Sequence, residues 1–216
     1  MKLTVDRIVD AGMAVYAEAG YPGLSMRRVA ARLDVHAGSL YYHVPNKAVL
    51  LRLMADRVAW QAYRAGAAAL AALPGDAGWA ERVVAQLGAL RHTLRAHPGG
   101  AAMLADSPKV LSFGALNLME RLLVTLDEGR VPGLAAAVAA DALLSHVTGF
   151  VLQEQGAAPA VPDASEAAAV HRDFPRTVAA AAAVSTDGRF ELGLRLICAG
   201  AAAQIQPAPV ERHALS

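Results

Sequence analysis

Apolar residues recur at helical spacing from the start of the chain. Val5, Ile8 and Val9 follow the i, i+3, i+4 pattern of an amphipathic helix with one buried face. The pattern predicts a helix over residues 4–19, and Gly20 is the expected stop.

Two short helices are predicted next, separated by a tight turn. Ser25 is a good N-cap for a helix over 26–33, because its side chain can accept a hydrogen bond from the first turn. Asp34 begins the turn, and a second short helix is predicted over 36–43. Pro45 ends it, since the residue before a proline is disfavoured in the α region.

The remainder of the chain has the same helical character and contains no convincing strand pattern, which predicts an all-α fold. Glycine and proline clusters separate the predicted helices, which span 46–70, 77–96, 100–106, 108–128, 132–156, 164–184 and 188–205. The alanine- and proline-rich stretch at 156–165 is the best candidate for a mobile loop.

Hydrophobic residues make up 55% of the chain and the mean hydropathy is +0.33, which is high for a soluble monomer. We expect no apolar stretch of the roughly 18 to 20 residues needed to cross a bilayer, and no secretory signal is visible at the N-terminus. We therefore expect a cytoplasmic protein that does not contact the membrane. The single cysteine, Cys198, lies in an apolar helical pattern and is expected to be buried and unreactive.

Charge is distributed unevenly although the net charge is only +1. Residues 1–60 contain eight Lys or Arg and five Asp or Glu, a balance of +3, whereas the rest contains 12 and 14, a balance of −2. A basic N-terminal segment is compatible with phosphate binding, but this charge bias is too small to indicate nucleic-acid binding by itself.

The two short helices and their tight turn match a helix-turn-helix unit. Val29, Leu33 and Leu40 supply its inner face. Small residues at 37–39 begin the second helix, where they would let its backbone approach base edges in the major groove of DNA.

The stretch GYPGLSMRRVAARLDVHAGSLYYHVPNKAVLL, residues 20–51, resembles the tetracycline-repressor (TetR) family of transcription regulators. The resemblance implies that Tyr41 and His43 bind phosphates, that Lys47 adds a positive charge at a helix start, and that Arg27 and Tyr42 reach the groove. The complete set of residues that it places at or near DNA is Arg27, Arg28, His36, Ala37, Gly38, Ser39, Tyr41, Tyr42, His43 and Lys47.

The C-terminal stretches at 143–156 and 174–197 resemble the regulatory domain of the tetracycline-repressor subgroup. This implies a DNA-binding domain over 1–47 and an effector-binding and dimerisation domain over 48–216. It also implies a homodimer that reads a palindromic operator and is released by a small molecule. The residues that would suit the dimer seam are Ala135, Val138, Ala142, Ser145, Gly149, Leu192, Leu196 and Gly200.

The metal-dependent drug site of that subgroup does not carry over to this sequence. Leu104 stands where the subgroup has a metal-binding histidine, Ser107 and Pro108 replace a threonine and an arginine, and Gln153 replaces a carboxylate. Leucine cannot bind Mg²⁺, so we expect no metal, no cofactor and an organic, largely apolar effector. The predicted pocket consists of Tyr63, Gln86, Leu90, Met103, Leu104, Phe113, Leu116, His146, Phe150 and Gln153.

Other functional classes fit the sequence less well. It contains no HExxH, GxSxG, P-loop or GxGxxG motif, and its carboxylates are scattered, so an enzyme is not expected. Two alternatives stay open at this point: a non-catalytic all-α protein that binds small molecules, and an activator with the same fold.

Overall fold

A computed structural model describes residues 2–106, 112–156 and 163–205, and within these ranges the chain is all-α. The described helices are α1 (Val5–Gly23), α2 (Met26–Leu33), α3 (Ala37–Tyr41), α4 (Lys47–Ala71), α5 (Trp79–Ala96), α6 (Gly100–Asp106), α7 (Phe113–Glu128), α8 (Gly133–Gln155), α9 (Ala164–Asp173), α10 (Pro175–Ala183) and α11 (Thr186–Ala202). The predicted fold class is confirmed.

Most helix bounds agree with the sequence patterns, and α2 matches its prediction at both ends. Gly20 leaves helical conformation at φ 63°, but one more helical turn follows it up to Gly23. Helix α3 ends at Tyr41, earlier than the predicted end at residue 43. The predicted mobile loop at 156–165 lies mostly outside the described residues.

Two predicted helices were wrong in their extent. The helix expected over 164–184 is divided between α9 and α10, because Pro175 begins a new helix and Phe174 before it adopts φ −130° and ψ 49°. Helix α7 begins at Phe113 with Ser112 as its N-cap, later than the predicted start at residue 108.

Two hydrophobic clusters fill the fold. The first joins α1, α2 and α3 to the start of α4 around fully buried residues such as Val29 and Leu40. The second lies between the later helices, around Leu90, Leu143 and Leu194. Helix α4 is 25 residues long and contributes to both clusters, so it connects the N-terminal head (α1 to α3) mechanically to the rest of the chain.

Helix α8 corrects one expectation from the sequence. By length and composition it could cross a membrane, because its most apolar window has a mean hydropathy of 1.6. Its many small residues make this apolar character easy to overlook in the sequence. The signal is weak, since a core helix of a soluble protein passes the same test, and residues such as Leu143 and Val147 pack inside this fold.

Candidate nucleic-acid interface and ligand cavity

The turn between α2 and α3 is fixed by local hydrogen bonds. The backbone N–H of Val35 donates to the carbonyl of Ala30 at 3.1 Å. Asp34 adopts the left-handed conformation at φ 54° and ψ 49°, which aspartate tolerates better than most residues. At the other end of α2, the Ser25 side chain accepts the backbone N–H of Arg28 at 3.2 Å, as its N-cap prediction requires. The hydrogen bond at the turn and the conformation of Asp34 set the orientation of α3 relative to α2 within the head.

Helix α3 has one buried side and one exposed side. Leu40 is fully buried with Val29 and Val44 in the first hydrophobic cluster. The opposite side presents Tyr42, which is 89% exposed, and Tyr41 at the same end of the helix. His36, Gly38 and Ser39 are also exposed, while Ala37 and His43 are partly buried.

Gly38 has no packing role within the described chain. A methyl group at its Cα would meet no atom within 4 Å, and its φ does not lie in the left-handed region. The absence of a side chain therefore serves neither the turn nor the core. A short distance along the chain, the Tyr42 and His43 rings meet edge to face with centroids 5.2 Å apart.

The cationic members of the predicted DNA set differ in their freedom. The Lys47 ammonium donates to the carbonyl of Tyr21 at 2.9 Å and lies 3.9 Å from the centre of its ring. Arg28 donates to the carbonyl of Gly23 at 3.2 Å. Arg27 is exposed. Tyr21 was not among the predicted residues, because its contact with Lys47 joins positions far apart in the chain.

A cavity of about 470 Å³ lies between α6, α7 and α8. Its lining is mainly apolar, and Ser145 and Thr148 are its polar residues. The lining residues are Leu104, Ala105, Ala115, Leu116, Leu118, Met119, Leu144, Ser145, Thr148 and Gly149.

Of the ten residues predicted to form the pocket, two line this cavity, Leu104 and Leu116. The other eight lie in several different environments. The resemblance could not predict this, because it does not give the orientations of the helices. Phe113 is 73% exposed and Gln153 is exposed on α8, whereas Met103 belongs to the hydrophobic cluster of the head.

His146 and Phe150 lie in a separate cluster with Arg91 of α5. The His146 ring stacks on Phe190 of α11 at a centroid distance of 5.5 Å, and the Arg91 guanidinium lies 4.5 Å from the centre of the same Phe190 ring. Glu154 and Asp187 pair with this arginine, with distances of 3.1 Å from Glu154 to Nε and 2.7 Å from Asp187 to Nη2. The hydrogen bond to Glu154 is the main reason that the pKa of Arg91 is raised.

Tyr63, Gln86 and Leu90 were also among the residues predicted to line the effector pocket. Leu90 is fully buried core. Tyr63 and Gln86 instead surround Arg121 of α7, a residue that was not predicted to belong to any site. No helix periodicity or motif marks an arginine that becomes partly buried only when three helices meet.

The head and the cavity are connected through α6 and α7. On α6, Met103 is buried in the head cluster while its neighbour Leu104 lines the cavity. At the start of α7, the Asp56 carboxylate on α4 accepts the Ser112 hydroxyl and the Gly114 N–H, both at 2.8 Å. Because Met103 belongs to the first hydrophobic cluster, this cluster extends beyond the predicted domain boundary at residue 47.

A second concavity, of about 600 Å³, lies along α8 and α11 and contains predicted dimer-seam residues. Its apolar groups face outward: Leu134 is 83% exposed and Val138 is 62% exposed. Leu196, also a predicted seam residue, is 64% exposed on α11. Among the described residues, no three His, Cys, Asp or Glu side chains are grouped as metal ligands would be, and the aligned positions Ser107 and Pro108 lie outside them.

Two protein-family profiles match most of the chain. Residues 8–54 match the profile of bacterial regulatory proteins of the tetR family. Residues 71–205 match the profile of the tetracyclin repressor-like C-terminal domain.

Individual proteins give the same result. The HTH-type transcriptional repressor DrrR1 of Streptomyces coeruleorubidus is 38% identical over 124 residues, which are 57% of this chain and 43% of DrrR1. The chain thus aligns with less than half of that relative. The structure of the Streptomyces coelicolor TetR family protein ActR in complex with actinorhodin has a TM-score of 0.75 and 30% identity, covering 96% of this chain and 100% of ActR. BioQ with its natural double-stranded DNA operator has a TM-score of 0.66 and 26% identity, covering 94% and 99% of the two chains.

Proposed function

This chain belongs to the TetR family of bacterial transcriptional regulators, and we propose that it is a homodimeric repressor that a small organic molecule releases from a palindromic operator. The observation that carries the proposal is the outer side of α3. It exposes two tyrosines, a serine and a glycine that has no packing role in the described chain.

These groups suit the phosphates and base edges of a major groove. Tyrosine and serine hydroxyls donate to phosphate oxygens, and a recognition helix contacts bases through its N-terminal residues. Gly38 lies in that first turn, where a bare backbone can approach the bases closely. Arg27 adds an exposed positive charge on α2, whereas Lys47 would have to share its ammonium between Tyr21 and a phosphate. The solved complex of BioQ with its operator supports this role.

Dimerisation rests on the apolar face of α8 and α11. Exposed leucine and valine side chains on adjacent helices are costly to leave in water and would be buried by the same face of a second copy. A two-fold dimer places its recognition helices about 34 to 36 Å apart, one turn of DNA, which selects a palindrome.

The cavity between α6, α7 and α8 is the proposed effector site. Its volume of about 470 Å³ and largely apolar lining fit an organic molecule with a ring system. The structure of ActR in complex with actinorhodin supports a small-molecule effector. An effector lowers operator affinity only if it binds the released conformation more tightly than the DNA-bound one.

Helix α6 offers a direct route from the effector to the head. A ligand that displaces Leu104 also moves Met103, which is packed in the head cluster. A second connection runs through Asp56, which ties the start of α7 to α4. Displacement of either helix would change the angle of α3 relative to its partner in the dimer.

Repression is favoured over activation because the relative DrrR1 is named as a repressor. A cytoplasmic, non-enzymatic protein follows from the same proposal, since the family consists of transcriptional regulators. The alternative of a ligand-binding protein without DNA activity gives no role to the exposed face of α3.

Selection from a random DNA library tests the proposal and identifies the operator in the same experiment. We expect a palindrome with half-sites one helical turn apart, bound with an affinity that falls steeply with salt. Leu196→Glu is the matched variant for dimerisation: it should yield folded monomers in analytical ultracentrifugation and lose operator binding. No enriched sequence, or a single unpaired half-site bound by monomeric protein, would contradict the proposal.

A further inference from the structure

The last turn of α1, residues 21–23, holds two cations of the predicted DNA set. The Lys47 ammonium donates to the carbonyl of Tyr21 at 2.9 Å, and Nη1 of Arg28 donates to the carbonyl of Gly23 at 3.2 Å. A Cβ at Gly23 would lie 2.8 Å from the same Arg28 nitrogen, so the arginine side chain lies close against the turn. Residues from α2 and α4 therefore place two positive charges on one short segment of α1.

The charges of these two side chains are not neutralised by the described part of the chain. In the same head, Arg32 pairs with the Glu18 carboxylate at 2.6 Å. Lys47 and Arg28 bond to backbone carbonyls instead, and among the described residues no carboxylate lies within ion-pair distance of either. Unpaired positive charge at a surface attracts an anionic partner.

The position of Lys47 brings this charge to the DNA side of the head. Lys47 is the first residue of α4 and follows the exposed Tyr42 by five positions, which span at most roughly 18 Å. The major groove is about 12 Å wide and is bounded by the phosphates of both strands. A duplex that receives α3 in its groove therefore has backbone phosphates near the start of α4.

Tyr21 fixes the Lys47 ammonium by two contacts. Besides the hydrogen bond to the carbonyl, Nζ lies 3.9 Å from the centre of the Tyr21 ring, which is a cation–π distance. An ammonium has three N–H donors, and the carbonyl accepts one of them. The remaining donors can bind an acceptor outside the protein while the lysine keeps its contact with the tyrosine.

The Tyr21 ring has no task in the core that would explain its position. It is 53% exposed and belongs to neither hydrophobic cluster. A free lysine side chain has many rotamers and loses this freedom when it binds a phosphate. Lys47 is already restrained in the folded chain, so its association with a phosphate costs less conformational entropy.

We propose that Tyr21 is a positioning residue of the DNA interface, which holds the Lys47 ammonium in place to bind a phosphate of the DNA backbone. This inference rests on the proposed DNA-binding function and adds a residue of α1 to an interface that otherwise consists of α2, α3 and the start of α4. Because phosphates carry no sequence information, the contact increases the affinity for any duplex.

A double-mutant cycle with Tyr21→Leu and Lys47→Met tests the inference. Fluorescence anisotropy measures the affinity of the full chain for the selected operator and for a random-sequence duplex at several salt concentrations. Lys47→Met should lower affinity and reduce the slope of log affinity against log salt by about one per subunit. Tyr21→Leu should lower affinity about three- to fivefold per subunit, the scale of an exposed cation–π contact, and keep the slope because the charge remains. Combined with Lys47→Met, it should cause no further loss.

Two further variants serve as controls. Tyr21→Phe keeps both the ring and the backbone carbonyl, so it should bind DNA like the wild type. Arg32→Met removes a charge that is already paired with Glu18, so it should leave the salt slope unchanged.

Proton NMR gives a second readout that does not require a Tyr21 variant to fold. The ring current of Tyr21 should shift the ε-methylene protons of Lys47, assigned by their loss in Lys47→Met, upfield in the free protein and in the DNA complex. Additive losses in the cycle, undiminished affinity of Tyr21→Leu, an equal loss in Tyr21→Phe, or disappearance of the upfield shift on DNA binding would overturn the inference. The random-sequence duplex is bound through its phosphates whether or not an operator is found, so this inference and the repressor proposal can fail separately.

Discussion

The outer side of α3 and the interior around Arg91 use polar residues in opposite ways. Ser39 on α3 and the C-cap residue Tyr42 are exposed and Gly38 has no packing role, so these residues contribute little to the folded chain itself. Around Arg91, charged and aromatic groups from α5, α8 and α11 contact each other and hold the helices together. Exposed residues that do not stabilise the fold therefore indicate contact with an external partner, whereas polar residues that contact one another in the interior stabilise the fold.

The largest expected effect is on the interior. Arg91→Ala leaves the partly buried Glu154 carboxylate without its main partner and should lower the free energy of unfolding by about 3 kcal/mol. Arg195→Ala is the matched control, since it removes an exposed ion pair with Glu191 and should leave stability unchanged. Denaturant unfolding followed by tryptophan fluorescence measures both. Equal effects of the two variants would remove the distinction between interior and surface arginines.

Within α3 itself, Leu40 represents the structural side. Leu40→Ala should destabilise the head by about 2 to 3 kcal/mol, because the leucine is fully buried and its removal leaves a cavity. Circular dichroism during thermal unfolding should show the loss. If Leu40→Ala melts like the wild type, the assignment of the buried side of α3 is wrong.

Gly38→Ala should affect the stability of the fold and the affinity for the operator in opposite directions. Alanine has room in the chain and is the better helix former, so the free energy of unfolding should stay equal or rise by up to about 1 kcal/mol. Operator affinity, measured by fluorescence anisotropy, should fall because the methyl group enters the closest part of the groove. Undiminished affinity would show that this turn does not approach the bases.

The smallest predicted effect is a pH dependence at the end of α5. Burial lowers the pKa of His97 from its ordinary value of 6.5, and its ring is hydrogen-bonded to Gln61. The unfolded chain therefore binds a proton more readily, so stability is full above about pH 6.5 and falls as the pH drops towards the lower folded-state pKa. His97→Gln should reduce this slope in denaturant titrations between pH 7 and about 5.5. An unaltered slope would assign the effect to other groups.

The head could be predicted well from the sequence because its signals are local. Ser25 marks the start of α2, and Leu40, which follows the small residues at 37–39, assigns one side of α3 to the core. The break between α9 and α10 could also have been found, since Pro175 disfavours a helical residue before it, but the alanine-rich pattern concealed it.

The ligand site could not be predicted in the same way. Which side of α7 faces the cavity depends on how α6 and α8 pack against it, and Phe113 and Leu116 differ in this although both are apolar. Arg121 is surrounded by groups 35 and 58 residues away in sequence, so no short pattern marks it. Local periodicity predicts individual helices, whereas the prediction of a cavity requires the positions of those helices relative to one another.

The central claim is that the outer side of α3 binds DNA and does not stabilise the fold. Tyr42→Ala tests it most directly when operator affinity and melting temperature are measured on the same preparation, with Leu40→Ala as the structural reference. We expect at least about a tenfold loss of affinity with a change in stability below about 0.5 kcal/mol. Unchanged affinity, or a stability loss as large as that of Leu40→Ala, would contradict it.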